Sequence, residues 1–324
     1  MDIEQARADI LSRDRLVWDM GERELRRRVE RGELRRLGPG RFVTTKRWEG
    51  LYAEDRHLLE VVACDQRRQG GEAVVSHVSA AVLHGLPLYR TRPTRVHISG
   101  GGTDGRTNSG GLVAHHGVAV PDEDVVTIGG IRCTGLTRTA YDVARQVSRN
   151  AAVACLDAAM RSVAWDERSR TYDPERAEQW RDAVMTRLTT GARGIRQARW
   201  VFAFADGRAQ LPGESVSRVL LDELGFRHIR LQVPFVGPAG QDWAVDFGLD
   251  DVAALGEFDG EGKYVEAELR AGRTIEQVVR REKEREDWIR GISQRRFVRW
   301  TSAQLASAAA LRDRLARHGV HPPR

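Results

Sequence analysis

The sequence predicts an α/β protein of several domains, α+β in its layering, and three observations carry that prediction. Three short helical runs precede a glycine-tipped hairpin at the N-terminus. A long middle stretch then alternates strand and helix candidates without an internal repeat. The last third reads α-β-β-β-α-β-α, in which one helix crosses over to the last strand. At about 100–200 residues per domain, 324 residues divide into 1–48, 49–204 and 205–324.

The elements follow in order. Asp2–Leu11 is amphipathic, Asp19-Met20-Gly21 is turn-like, and Glu22–Arg31 is a strongly helical run that stops at Gly32, a natural residue after a helix end. Leu34–Leu37 and Arg41–Thr45 flank Gly38-Pro39-Gly40, a hairpin signal. Three short helices followed by such a hairpin form a winged-helix pattern. In the middle, Val74–Leu86 reads as helix, and Arg95–Ser99, Gly111–His115, Val125–Ile128 and Ile131–Thr134 read as strands around a glycine-rich loop. Arg138–Val147, Ala151–Arg161, Glu175–Leu188 and Arg193–Phe204 read as helices. From 205 on, Gly213–Leu224 is an amphipathic helix. Arg227–Val236, Trp243–Gly248 and Val252–Phe258 are strands. Thr274–Ile292 is a long charged helix, Arg296–Trp300 a strand, and Ser302–His318 a closing helix.

Composition bounds the function class. Hydrophobic residues at 41% suffice for packed cores. No apolar run reaches the ~18 residues of a membrane helix, and Met1–Ile10 lacks a signal-peptide core. Cys64, Cys133 and Cys155 are odd in number and far apart, which argues against a disulfide framework or a Cys-rich zinc site. The expectation is a soluble, cytoplasmic protein with no membrane partner. Its charge of +6 permits a nucleic-acid partner. Only Lys46, Lys263 and Lys283 are lysines among 52 basic residues.

The basic excess is concentrated. Glu22–Arg47 holds ten basic residues against four glutamates. Leu25 and Val29 are one turn apart and can face a core, while Arg23, Arg26, Arg27 and Arg31 fall mostly on the opposite surface. Such a helix can enter a DNA major groove and reach guanine edges, with Arg35, Arg36 and Arg41 of the hairpin gripping phosphates. The competing reading is a solvated helix laced with Glu–Arg pairs.

An acidic set lies on the later strands. Asp246 interrupts the apolar run Trp243–Phe247, and Glu257 and Asp259 share a face of the next strand. A charge buried in a strand needs a partner or a metal. Asp246 and Glu257 can hold Mg²⁺ or Mn²⁺, whose hard character suits carboxylate oxygens. Glu214, on the preceding helix, is a natural third carboxylate. Lys263 and Lys283 stand out in an arginine-rich chain, because a compact ammonium can orient an attacking water. The competing reading is an edge strand whose acids face water. His77 and His84, seven residues apart, read as packing residues. His115 and His116 point to opposite sides of a strand and cannot chelate one ion together.

The first 48 residues resemble the winged-helix head of AbiEi-type antitoxins. Val75-Ser76-His77-Val78-Ser79-Ala80-Ala81, Val96-His97-Ile98-Ser99 and Thr137-Arg138-Thr139-Ala140-Tyr141-Asp142-Val143-Ala144-Arg145 are similar to motifs of AbiEi-like proteins. That resemblance implies double-stranded DNA binding, transcriptional autoregulation and a nucleotidyltransferase toxin as partner in a type IV toxin–antitoxin system. Residues 210–302 resemble a PD-(D/E)XK, Vsr-related restriction-endonuclease-like domain, with Glu214, Asp246 and Glu257 in the motif positions. The motif lysine should follow Glu257 by two residues, where this chain has Asp259; Lys263 or Lys283 then become its substitutes. Two functions follow as expectations: a metal-dependent endodeoxyribonuclease using Glu214, Asp246, Glu257, Asp259 and Lys263, or a non-catalytic repressor on a nuclease-like scaffold. Winged-helix proteins often pair, which leaves a homodimer open.

Overall fold

The computed structural model describes residues 1–67, 73–100, 107–108, 111–188, 192–260 and 274–323. The α/β expectation holds: among the described residues, helices accompany four separate sheets. The chain forms two compact units, Met1–Ala159 with Glu175–Phe204, and Met160–Pro174 with Ala205–Arg324. The N-terminal and middle segments thus share the first unit, and a short insert of the middle segment belongs to the second.

The first unit begins with α1 (Ile3–Asp9), β1 (Leu11–Ser12), α2 (Arg13–Met20), α3 (Glu22–Glu30), β2 (Leu34–Gly38) and β3 (Arg41–Thr44). Side chains of Asp2 and Ser12 accept the backbone N–H groups of Gln5 and Arg15, which starts α1 and α2. Gly21, at φ +79, permits the sharp turn between α2 and α3. The strand order β1-β3-β2 and a core of Leu16, Leu25, Leu34 and Phe42 complete a winged helix.

After α4 (Thr45–Glu49) and α5 (Ala53–Asp65) comes a sheet ordered β6-β7-β5-β4-β9-β8. Its strands are β4 (Val74–Val75), β5 (Val96–Ser99), β6 (Thr107–Asn108), β7 (Val113–His116), β8 (Val125–Ile128) and β9 (Ile131–Thr134). The helix expected over 74–86 is shorter: α6 spans His77–Leu83. Val74 and Val75 instead pair with Ser99 and Ile98, and Val75 also with Cys133. Both valines are buried, and two β-branched residues between two neighbours favour strand over helix. Helices α7 (Leu136–Gln146) and α8 (Arg149–Ala164) follow. The hairpin β10 (Trp165–Asp166) and β11 (Thr171–Tyr172) lies in the second unit; α9 (Pro174–Met185) and α10 (Ile195–Phe204) complete the helices before it resumes.

The second unit is built on β12 (Ile229–Val236), β13 (Asp242–Leu249), β14 (Ala254–Asp259) and β15 (Arg296–Thr301), in that spatial order. The first three are antiparallel and β14–β15 is parallel, so the helix between them, α12 (Ile275–Ser293), is the expected crossover. Ile289 of α12 packs on Val233, Val245, Leu255 and Phe297. On the other face lie α11 (Pro212–Glu223) and α13 (Ala308–Arg317). Here Trp300 is buried, packs against Phe247 in a tilted ring contact at 5.3 Å and donates Nε1–H to Ser217 Oγ at 2.8 Å. The closing helix starts at Ala308, later than the sequence suggested, because Ser307 caps it.

Candidate functional site

The second unit brings Glu214 and Asp246 together. Glu214 sits in the first turn of α11 and is buried. The turn approaches β14 closely, since a Cβ on Gly213 would lie 2.1 Å from Phe258 Cε1. Glu214 Oε2 accepts from Gln210 N at 2.9 Å and from Gln232 Nε2 at 3.1 Å. Asp246 Oδ2 accepts the N–H of Phe258 at 2.8 Å, where the β13–β14 ladder has stopped at Phe247↔Gly256. All these donors are neutral. Burial, then the mutual repulsion with Asp246, pushes Glu214 well above the ordinary carboxylate range. Burial does the same to Asp246, with Glu257 adding to it.

Backbone irregularity marks the same place. The β12–β13 register is Leu231↔Phe247 and Val233↔Val245, which brackets Gln232 and Asp246 as opposites. Gln232 has φ +50, the left-handed region, inside a strand. Val245 packs toward Ile289, but Phe247 packs toward Trp300 on the other face, although alternation should put them together. The pleat is therefore interrupted at Asp246. Strain and bulges in strands re-aim side chains, and they cluster at functional sites.

Beside the pair lies a cleft of about 510 Å³. Gln210 and Gln232 form part of its wall, with Arg161, Trp165, Tyr172, Arg208 and Arg230. The Arg161 guanidinium lies 4.1 Å from the Trp165 ring centroid and is close enough to Glu214 for the carboxylate to favour its charged form, though burial outweighs this and lowers its pKa. Arg208 is held by Asp206, and Arg230 by Asp250. Sequence reading missed Gln210, Gln232 and the Arg161–Tyr172 wall. Their roles come from a hairpin inserted from the middle segment and from one left-handed residue, and neither has a local sequence signal.

Glu257 has a different environment. It is buried and pairs with Arg285 at 2.6 Å and Arg299 at 2.7 Å. Glu282 bridges the same two arginines at 2.9 and 2.5 Å. Asp259 is half-buried, 3.5 Å from Arg299, and burial raises its pKa. Glu257 and Asp259 thus turn to the arginines of α12 and β15, whereas Glu214 and Asp246 make no hydrogen bond or ion pair to a cationic side chain among the described residues and feel Arg161 and Arg285 only through their fields. Lys263 lies outside the described residues. Lys283 is exposed on α12.

The basic set of the head is on the surface. Arg23, Arg26, Arg27, Arg31, Arg35 and Arg36 are exposed, and Arg41 is half-buried and donates to Gln66. Arg27 pairs with Glu24 at 3.0 Å and Arg31 with Glu33 at 3.9 Å, as the solvated-helix reading expects. Arg23 and Arg26 make no ion pair among the described residues. Arg35 stacks on Trp48 and Arg36 on Phe42. These contacts hold the two guanidinium groups on the wing at little further entropic cost.

Residues 73–203 match the family model described as the AbiEi antitoxin C-terminal domain. Two uncharacterized proteins of Mycobacterium tuberculosis, from two strains, are each 33% identical over 213 residues, or 65% of this chain and 72% of the relative. The chain belongs to one family with these mycobacterial proteins. Its middle segment is an AbiEi antitoxin C-terminal domain, in agreement with the motifs at Val75–Ala81, Val96–Ser99 and Thr137–Arg145. The domain match ends at 203 and does not reach the carboxylates. No helix among the described residues is long and apolar enough to cross a membrane.

Proposed function

We propose that this AbiEi-domain protein binds double-stranded DNA through its winged-helix head and hydrolyses phosphodiesters at the Glu214–Asp246 site with Mg²⁺ or Mn²⁺. The observation that carries the reading is a pair of buried carboxylates with neutral donors only, beside a cleft of arginines and aromatics. Such a pair is costly without a cation, which is the environment a hard divalent ion relieves. A bound ion of this kind lowers the pKa of a water and balances charge on the phosphate. Gln232 and Gln210 orient Glu214. Phe258 N–H fixes Asp246. Arg161, Arg208 and Arg230 attract the phosphate backbone, and Trp165 and Tyr172 offer faces for unstacked bases. Glu257 keeps Arg285 and Arg299 in place, and it reaches a metal only if those pairs open. Asp259 of the Glu-x-Asp-Gly segment, and Lys263 three residues beyond it, remain the proposed further contributors.

The test is cleavage of supercoiled plasmid and of short duplexes with Mg²⁺ and Mn²⁺. Wild type should cut, and Asp246→Asn and Glu214→Gln should bind DNA without cutting. The AbiEi domain favours a second reading, an antitoxin-type repressor with a nucleotidyltransferase toxin as partner and no cleavage. That reading wins if wild type cuts no DNA with either metal and Asp246→Asn represses its own promoter as wild type does.

A further inference from the structure

Three imidazoles converge in the AbiEi domain. His77, His97 and His116 each offer a ring nitrogen, and these atoms all lie within 4.8 Å of one another. Among the described residues this is the only set of three His, Cys, Asp or Glu side chains so arranged. His97 Nδ1 and His116 Nε2 are 2.9 Å apart. The His77 and His116 rings stack at 3.9 Å between centroids.

The fold builds the cluster from three elements. In the parallel β5–β7 ladder, His97 pairs with Ala114 and Ser99 with His116, so alternation puts His97 and His116 on one face. His77 opens α6, which packs on β5. His115 points the other way and is exposed. His84, which reads from sequence as a packing residue beside His77, bonds the Thr134 carbonyl at 2.9 Å.

We propose that His77, His97 and His116 form a binding site for a divalent transition-metal cation of the Zn²⁺ class. Three imidazoles and no carboxylate suit Zn²⁺, Co²⁺, Ni²⁺ or Cu²⁺ over Mg²⁺ or Ca²⁺. A tetrahedral site with Zn–N of ~2.0–2.1 Å needs ligand nitrogens ~3.3 Å apart, and imidazoles radiate from the ion they share, so the His77 and His116 rings turn out of their stack as the ion enters. The outer contacts of a metal site are present as well. Ser76 Oγ bonds His77 Nδ1 at 2.8 Å, and Ser99 Oγ–H donates to Ser76 Oγ at 2.8 Å. The Ser76 contact orients the His77 ring as an outer partner does around a metal. Ser79 Oγ accepts the backbone N–H of His97 at 2.8 Å, which ties the strand that carries His97 to α6. His77 has φ +56, a strained conformation for a residue with a side chain, and it holds the ring in the cluster. The fourth position is left for water or a small ligand, as in three-histidine sites.

The experiment is a Co²⁺ titration of chelator-treated full-length Asp246→Asn protein, read by visible ligand-field absorption, with Zn²⁺ competition and a thermal melt. The Asp246→Asn background keeps the carboxylate pair from supplying the signal. The expected result is one saturable equivalent, displaced by Zn²⁺, with a rise in melting temperature. Adding His97→Gln or His116→Gln should weaken binding by at least about tenfold, and His115→Gln should change nothing. Absence of a saturable Co²⁺ spectrum from the intact cluster overturns the proposal whether or not the variants fold. Loss on His115→Gln equal to that on His97→Gln overturns it as well.

Discussion

Glu214 and Glu257 are both buried glutamates of the second unit, yet their surroundings are opposite. Glu257 accepts from two guanidinium groups and anchors an ion-pair web between α12 and the sheet. Glu214 accepts from the Gln232 amide and from backbone N–H groups, all neutral, and faces another carboxylate. A carboxylate surrounded by cations is already satisfied and holds structure together. A buried carboxylate left with neutral donors is retained at a cost in stability, and such a cost is characteristic of functional sites.

Mutation separates the two roles. Asp246→Asn should lower cleavage by about a thousandfold, the scale of lost metal-ion stabilisation of the transition state, as measured by single-turnover cutting, without loss of stability. Glu257→Gln should do the reverse in kind. Removing one partner of a buried pair costs ~3–5 kcal/mol, and the partial exposure of Arg299 puts the expected loss at about 3 kcal/mol by urea unfolding. If Glu257→Gln proves neutral and Asp246→Asn unfolds the protein, the two roles are exchanged. Arg23→Ala with Arg26→Ala in the head should weaken DNA binding by about tenfold or more and reduce the slope of log K against log salt by ~1–2; an unchanged slope moves the interface off α3. Gly213→Ala forces a Cβ against Phe258 and should cost ~1–3 kcal/mol, with a loss of cleavage because Glu214 is displaced.

The smallest effect is a pH dependence. Raised folded-state pKa values at Glu214 and Asp246 mean that the metal-free native state binds more protons than the unfolded chain. Their contribution to stability is fully present below the unfolded carboxylate pKa near ~4. It falls as pH rises into the neutral range and levels off above the folded-state values. Glu214→Gln or Asp246→Asn should flatten that decline, and Mg²⁺ should oppose it in wild type. A decline that persists unchanged in both variants assigns the protons elsewhere.

Much of the architecture was legible in the sequence. The Glu22–Arg31 helix and the glycine-tipped hairpin of the head are legible, but Leu11, which reads as the end of a helix, pairs with Phe42 as strand β1, and Asp19–Met20, which reads as a turn, ends α2. The Glu214, Asp246 and Glu257 spacing pointed to the second sheet. Val74–Val75 was misread because a two-residue strand takes its identity from Cys133 and Ile98, which are distant in sequence. His77 reads as a packing residue beside His84, because helical periodicity sees only neighbours one or two turns away.

By itself the sequence determined which segments bury a face, where the positive charge collects and which carboxylates interrupt apolar strands, because those are matters of local period and composition. The tertiary structure alone decided that Glu257 is neutralised and Glu214 is not. It also decided that Gln232 turns left-handed opposite Asp246, that an inserted hairpin walls the cleft, and that His77, His97 and His116 meet. Charge compensation and ligand convergence depend on which residues far apart in the chain come within a few ångströms, and only the packing within each unit fixes that distance.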